Sequence, residues 1–525
     1  MNTRSWAAIC LLLLLLMLFP GINHGIWRPD EPRVAGICAG MAYSGDYGIP
    51  YLNGRPFLEK PPLYFMAGAL SGSVFGKDKD ISYRLVSLSF CILTLIIVYF
   101  MVSGREGYIY ALIAAGILAT SWEFFQISRW IQVDIALVFG VVLAMYAYLG
   151  LIEHYRIRDS ILLGIALGVT FMVKGLVGVG IIGAAIITDI IRQKDIRLIW
   201  RIKPYIVIAL MLVPIAPWIV YLFHTGGWPF VREVIVVNNI GRFTGATEAL
   251  SLGHHHGIMY YLDHFPRDFL PWTFLFIPAF IRSIRGFKDD PYISWFIGPF
   301  ILLCLASTKR GVYLVPLYPA AACMIASFLE CGIHKKWEDV MLKITWAVAI
   351  LFCIAPFIGI FIGYPTAGIS LGIVSVAALI VVARQRVFKH VKGFSLVVVI
   401  CIGIGCSTTI YYDYMKPRQD FLGFTKKALS AAQGSDIVIL SPDEIFEGVL
   451  PMLTGKTFKE VVHPKDIKKG GLFIWAERHD AVLNALKERA GVDIILEQKI
   501  GSKQARLAYI MPDGLMHKSN IEECL

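Results

Sequence analysis

Charge is scarce in this chain. Of its 525 residues only 17% are Asp, Glu, Lys or Arg, whereas 57% are hydrophobic and the mean hydropathy is +0.64. A soluble globular chain is about 25% charged. The shortage excludes a disordered chain, a coiled coil and an ordinary cytosolic enzyme, and it leaves a polytopic membrane protein. Cysteine is scarce as well: ten residues, scattered, with no Cys-x-x-Cys. That excludes a disulfide scaffold and a zinc site built on paired cysteines. Cys91, Cys304, Cys353 and Cys401 lie inside apolar runs and read as small core residues. There is no glycine-rich phosphate loop, so no nucleotide-sugar fold is expected. The formal charge is +11, but the Lys and Arg stand in short clusters between apolar runs, which is not the footprint of a nucleic-acid binder.

What is abundant is long apolar sequence. A helix needs about 20 apolar residues to cross a bilayer. Candidate spans are Trp6–Ile22, Ile81–Val102, Tyr108–Phe124, Val133–Ile152, Ile161–Val173, Leu176–Ile191 and Pro204–Phe223. They continue with Pro271–Ile284, Tyr292–Ala306, Val312–Leu329, Leu342–Phe361, Ala367–Val382 and Phe394–Tyr411, about thirteen in all. The first is Leu-rich (Leu11–Leu16), and Pro20, Gly21 and Ile22 follow it in place of an Ala-x-Ala-like cleavage site. It reads as an uncleaved anchor.

The basic residues orient these spans. With the N-terminus inside, Arg105, Arg156 and Arg158, Arg192 to Lys203, Arg282 to Lys288, Lys335 and Lys336, and Arg384 to Lys392 all fall in cytoplasmic gaps. An odd number of spans then puts the C-terminus outside. Charge is dense there: 32 of the 87 charged residues lie in the 113 residues from Asp413. The expected architecture is therefore an α-helical polytopic membrane body, residues 1–412, followed by a soluble outer α/β domain, residues 413–525. Strand-like runs (Asp436–Leu440, Leu472–Ala476, Asp493–Leu496, Leu507–Met511) alternate there with helical ones (Phe421–Ala432, Asp480–Ala490). Two long outer loops, about 23–80 and 224–270, are expected to work. A Cys38–Cys524 bridge would be compatible with this topology.

Charges beside apolar segments are costly and mark candidate sites. The first outer loop holds Asp30-Glu31-Pro32-Arg33 and then Arg55-Pro56-Phe57-Leu58-Glu59-Lys60-Pro61-Pro62. The acidic pair suits a base, a metal ligand or a hydroxyl orienter. Lys60, ahead of two prolines that hold the backbone extended, suits a phosphate. The bland alternative is a solvated loop with a stabilising Glu–Lys pair. Asp134 opens a span and is either a functional acid or a helix N-terminal one. Lys174 is a lone cation in a tight outer turn, either snorkelling or binding an anion. Lys309-Arg310 is a basic outer turn that breaks the positive-inside trend, which points to phosphate or headgroup binding. His254-His255-His256 can offer at most one ligand to an ion, and otherwise reads as loop polarity. Charge gathers at one face and not within the spans. That favours interfacial chemistry over a lipid or glycan transporter, whose charges would sit mid-span, and over a receptor-like scaffold.

Three segments together resemble a known family. Asp30-Glu31-x-Arg33, Glu59-Lys60-Pro61-Pro62-Leu63 and Lys309-Arg310-x-Val312-Tyr313-Leu314-x-Pro316-Leu317-Tyr318-Pro319 are similar to the bacterial aminoarabinose transferases and protein mannosyltransferase-like enzymes, which are GT-C glycosyltransferases. The resemblance implies a polyprenyl-phosphate-linked sugar donor and an outer-face acceptor, often lipid A, with protein or polysaccharide as the alternative. It implies catalytic roles for Asp30 and Asp134, and substrate binding by Arg33, Lys60 and Tyr313; Arg55, Lys174, Lys309 and Arg310 join them as substrate-binding candidates from their own places in the outer loops and turns. It also implies a divalent metal (zinc, magnesium or manganese) near Glu59 and one His, best matched by His256. Two departures stand out. Gly311-Val312 replaces the Leu and Pro that follow the Lys in many relatives, and the run of three His blurs the His match.

Overall fold

The structure is a computed structural model that describes residues 3–27, 30–245, 255–384 and 392–512. Cys524 and His254 lie outside the described residues. The chain begins with α1 (Thr3–Leu16), α2 (Glu31–Ser44), the short strands β1 (Tyr51–Leu52) and β2 (Arg55–Pro56), and α3 (Leu63–Phe75). Next are α4 (Asp80–Ser103), α5 (Tyr108–Thr120), α6 (Trp122–Ile127), α7 (Asp134–His154), α8 (Ile157–Lys174), α9 (Leu176–Gln193), α10 (Leu198–Arg201) and α11 (Pro204–Arg232). A π-helix, Glu233–Gly241, leads into α12 (Arg242–Thr244). The membrane body closes with α13 (Tyr260–Asp268), α14 (Thr273–Arg285), α15 (Pro291–Leu305), a 3₁₀ turn at Gly311–Leu317, α16 (Tyr318–Cys331), α17 (Lys336–Ile354), α18 (Pro365–Arg384) and α19 (Lys392–Met415). The remaining elements are α20 (Phe421–Ala431), β3 (Ile437–Leu440), α21 (Glu444–Thr454), β4 (Glu460–Val461), β5 (Gly471–Glu477), α22 (Ala481–Lys487), β6 (Ala490–Ile500) and β7 (Lys503–Pro512).

Two compact units emerge. The first is residues 1–22, 58–64 and 84–411. Each of the apolar runs read as spans contains a helix here. Among the described residues eight helices are long and apolar enough to cross a membrane, and four more are apolar but shorter. Eight crossing-length helices fall short of the thirteen spans expected, several of the remaining runs forming helices too short or too charged to count. Charge within the unit is paired where it is buried. Asp189, in the last turn of α9, accepts from Arg192 (2.7 Å) and Tyr148 (2.7 Å). Arg129, placed in an outer gap by its sequence position, is fully buried beside α6. Its guanidinium donates to the carbonyls of Met17 and Pro20 just past α1, at 3.2 and 3.3 Å, supplying the partners that helix ends lack.

The second unit differs from the expected domain. Its C-terminal part starts at Tyr412, as the charge density indicates, but Asn23–Phe57 and Phe65–Tyr83 belong to it as well. The expected first outer loop is therefore largely structured. Its α2 starts with Glu31 and Pro32 in the first turn and stops at Gly45 in the left-handed conformation. These are the ordinary start and stop signals of a helix, hidden here by weak amphipathicity. The sheet runs β4-β3-β5-β7-β6, parallel across β4, β3 and β5, antiparallel at β5–β7 and β7–β6. Alternation along β5 sends Leu472 and Ile474 to one face, with Phe421, Phe424 and Leu450, and Phe473 and Trp475 to the other, with Leu483 and Leu486. The expected strands and both expected helices are present; α21 was not foreseen.

Helix α21 packs on α2 through two glycines. A Cβ built on Gly36 would lie 2.5 Å from Gly448 Cα, and one on Gly448 would lie 2.0 Å from the carbonyl oxygen of Pro32. Backbone meets backbone, so no side chain can yield. Gly448→Ala should lower stability by about 1–3 kcal/mol, the usual cost of forced overpacking. Thermal unfolding of the purified protein checks this; an unchanged midpoint would mean the crossing relaxes freely.

Candidate functional site

The site begins at a broken helix. Helix α8 ends at Lys174 and α9 starts at Leu176, with Gly175 between them at φ +68°. A side chain at 175 would meet the Asn239 amide at 2.4 Å, and Asn239 Oδ1 accepts from the Leu176 amide N–H at 2.8 Å. Only glycine permits that approach. The break leaves Lys174 as the last residue of α8, and its ammonium forms an ion pair with Asp134, the first residue of α7. Both side chains are buried, at 9% and 6% exposure. The second Asp134 oxygen accepts from Gln132 Nε2 at 3.1 Å, and the Lys174 ammonium lies 4.2 Å from the centre of the Tyr313 ring. Lys60 and Arg310 are within electrostatic reach of Asp134.

A cavity of about 280 Å³ opens beside this pair. Glu59, Lys60, Lys174, Asn238 and Tyr313 give it a polar side, and Leu176, Val177, Phe243, Leu302 and Leu303 give it an apolar one. A cavity lined by two lysines and by several apolar side chains suits an anionic head on a hydrocarbon chain.

The sequence-derived residues divide by unit. Glu59, Lys60, Asp134, Lys174 and Tyr313 meet at the cavity of the first unit. Asp30, Arg33 and Arg55 belong to the second. There the Arg33 guanidinium bridges Asp30 (2.6 Å) and Glu444 (2.5 Å) and lies 5.5 Å from the centre of the Phe57 ring. Arg55 pairs with Glu447 (2.9 Å) and Glu460 (2.8 Å). Burial and the neighbouring Glu460 push the Glu447 carboxyl upward. These are pairings inside the unit, and for Arg55 they answer the charge that suggested substrate binding.

Lys309 needs a correction. It is buried, and its ammonium donates to the carbonyls of Ala306 and His256 (3.0 Å for the latter). It ties the second outer loop to the end of α15; burial pushes its pKa down. It is not among the residues that line the cavity. His256 is exposed and stacks on Tyr260, ring centres 4.3 Å apart. Among the described residues no three His, Cys, Asp or Glu side chains converge to hold a metal ion.

Sequence reasoning missed Glu123, Asp268, Asn238 and Asn239. Helix α5 ends at Thr120, so Glu123 stands beyond the span, on α6. Its carboxyl is pushed up to about 7, first by burial and then by the negative charges of Asp268 and Asp134, against the pull of Arg310 and Arg267. A lone acid beside an apolar run was the available signal, the same one that picked out Asp134. The asparagines carry no charge and gave none.

The family described as dolichyl-phosphate-mannose-protein mannosyltransferase matches residues 59–221, a stretch that holds Glu59, Lys60, Asp134 and Lys174. The chain is 25% identical over 362 residues to the undecaprenyl phosphate-alpha-4-amino-4-deoxy-L-arabinose arabinosyl transferase of Yersinia pestis (strain Pestoides F), covering 66% of this chain and 63% of that protein. It is also 25% identical over 338 residues to the like-named protein of Edwardsiella ictaluri (strain 93-146), covering 62% and 59%. The matches thus span under two thirds of these relatives' length. The fold is that of ArnT from Cupriavidus metallidurans: its crystal structure bound to undecaprenyl phosphate superposes with a TM-score of 0.78 at 17% identity, covering 96% of this chain and 98% of that one. The apo structure gives 0.76.

The raised Glu123 carboxyl has a measurable sign. Unfolded, it would release its proton near 4.5; folded, it keeps the proton up to about 7. Its contribution to stability is therefore complete below the lower value and is lost as pH rises to the upper. Glu123→Gln should flatten the fall in melting temperature across that window. Parallel profiles for variant and parent would refute the assignment.

Proposed function

We propose that this chain is an integral-membrane glycosyltransferase of the GT-C kind. It moves a sugar from a polyprenyl-phosphate donor to an acceptor at the outer face of the bacterial inner membrane, lipid A first among acceptors, with the second unit in the periplasm. The observation that carries this reading is a cavity lined by Lys60, Lys174 and Tyr313 together with apolar side chains. The names of the sequence relatives and the ArnT fold support it.

The chemistry follows from the residues. Breaking the sugar–phosphate bond leaves a polyprenyl phosphate whose charge must be met. Lys60 and Lys174 meet it with charge-assisted hydrogen bonds in a site largely closed to water. Lys174 is held ready by Asp134, which neutralises it until the phosphate arrives. Direct displacement by the acceptor inverts the anomeric carbon. A hydroxyl acceptor needs a base within reach, whereas a lipid A phosphate is already anionic and needs only to be placed. Asp134 stands behind the cavity wall, paired with Lys174; the role of Asp30 rests on the resemblance of its segment. Glu59 and His256 would offer a divalent ion two ligands, and activity after chelation with zinc, magnesium or manganese add-back reads whether one is needed. No step above runs through it.

A protein acceptor is the second reading, favoured by the description of the matching family. A transporter is disfavoured because the buried Asp189 of α9 is fully engaged by Arg192 and Tyr148.

Mass spectrometry of lipid A and envelope glycans from cells with and without the protein tests the reading. A mass shift on lipid A is expected. Lys60→Ala and Asp30→Asn should each cut transfer by about 10²–10³-fold, the usual loss of one transition-state partner, with membrane abundance unchanged. Full activity in both variants would overturn the site assignment.

A further inference from the structure

Helix α11 outlasts its apolar run. Gly227, at φ +66°, kinks it; the chain stays helical to Arg232 and then widens into the π-helix Glu233–Gly241. Such segments are rare and concentrate at functional sites. This one brings Asn238 and Asn239 to the cavity wall together, both buried, at 7% and 6% exposure.

The two amides differ in what they leave open. Asn239 is satisfied at both ends: Oδ1 accepts from the Leu176 amide at 2.8 Å, and Nδ2 donates to the Val234 carbonyl at 2.6 Å. Asn238 is satisfied at one. Its Nδ2 donates to Glu233 Oε1 (3.0 Å), to the Glu233 carbonyl (3.1 Å) and to the Leu58 carbonyl (3.4 Å). Three acceptors around that atom fix which end of the amide is nitrogen, since the flipped group would set oxygen against a carboxylate and two carbonyls. The Oδ1 atom is buried with no hydrogen-bond partner among the described residues. A buried carbonyl left open is costly, and one held in place by its own amide nitrogen is poised for a ligand.

We propose that Asn238 Oδ1 is a substrate-recognition atom: it accepts a hydrogen bond from an O–H or N–H group on the sugar head of the lipid-linked donor. The inference rests on the function proposed above and adds the residue that reads the sugar. The atom can only accept, so it has nothing to give a phosphate, which the cations at 60 and 174 serve. A hydroxyl or an ammonium on the sugar fits it. The bare carrier lipid left after transfer carries no such group. Asn238 therefore favours the charged donor over its spent form, and loses its partner when the sugar leaves.

The test compares two probes on the full chain in lipid nanodiscs: undecaprenyl phosphate, and the same lipid carrying 4-amino-4-deoxy-L-arabinose. Asn238→Ala should weaken binding of the sugar-bearing lipid roughly tenfold, as for one hydrogen bond lost from a closed site, and leave the bare lipid within about twofold. Glu233→Ala, which removes one of the three acceptors that hold the amide, should give a smaller loss on the sugar-bearing lipid alone, and decides the matter if the first variant does not fold. Equal losses on both probes, or none on either, would overturn the proposal. A parent protein that binds neither probe would sink the function proposed above, and this inference with it.

Discussion

The cavity depends on one buried ion pair. Lys174 and Asp134 sit where water barely reaches, and neither charge could remain there without the other. Their meeting is set by two helix ends: the last residue of α8 and the first of α7. Gly175 makes the first of these ends possible, and Asn239 holds the start of α9 just beyond it. The pair thus joins α7 to α8, and Asn239 adds α9 beside it. The pair's neutrality also explains how the site tolerates a largely buried ammonium.

Much of this was legible in the sequence, and the reasons are physical. Apolar length fixes where helices form in a membrane chain, because backbone groups there have no water to bond; every apolar run contains one. Isolated charges beside those runs are few, so Lys60, Asp134 and Lys174 stood out. Partners were not legible. Lys174 and the Lys309-Arg310 pair both read as cations in outer turns. Lys309 answers two backbone carbonyls and Lys174 a carboxylate, a difference set by contacts far along the chain. Asn238 was invisible for a further reason: a neutral amide raises no flag, and a π-turn has no period of its own in the sequence. Helix α21 is only eleven residues long and holds Gly448 and Pro451, both poor helix formers, so its segment carries a weak helical signal.

The second unit shows another limit of local reading. Asn53 Nδ2 donates to the Phe458 carbonyl at 2.9 Å, and the Phe458 amide N–H returns the bond to Asn53 Oδ1 at 2.8 Å, so one side chain stands in for a strand edge across some four hundred positions. Arg33 and Glu444 are joined over a like separation. Nothing in either segment alone announces such a partner.

That separation has a consequence for how the protein is made. The segment holding Asp30 and Arg33 leaves the ribosome long before α21 and the sheet that complete its unit. During synthesis of the intervening helices, α2 has neither its glycine counterpart nor the carboxylate that bridges Arg33, and contacts this distant in sequence are slow to close. The early segment must therefore wait, unassembled, until the last hundred residues arrive. A nascent chain stalled within the membrane body would carry its bundle largely built and its first acidic motif still without its lasting surroundings.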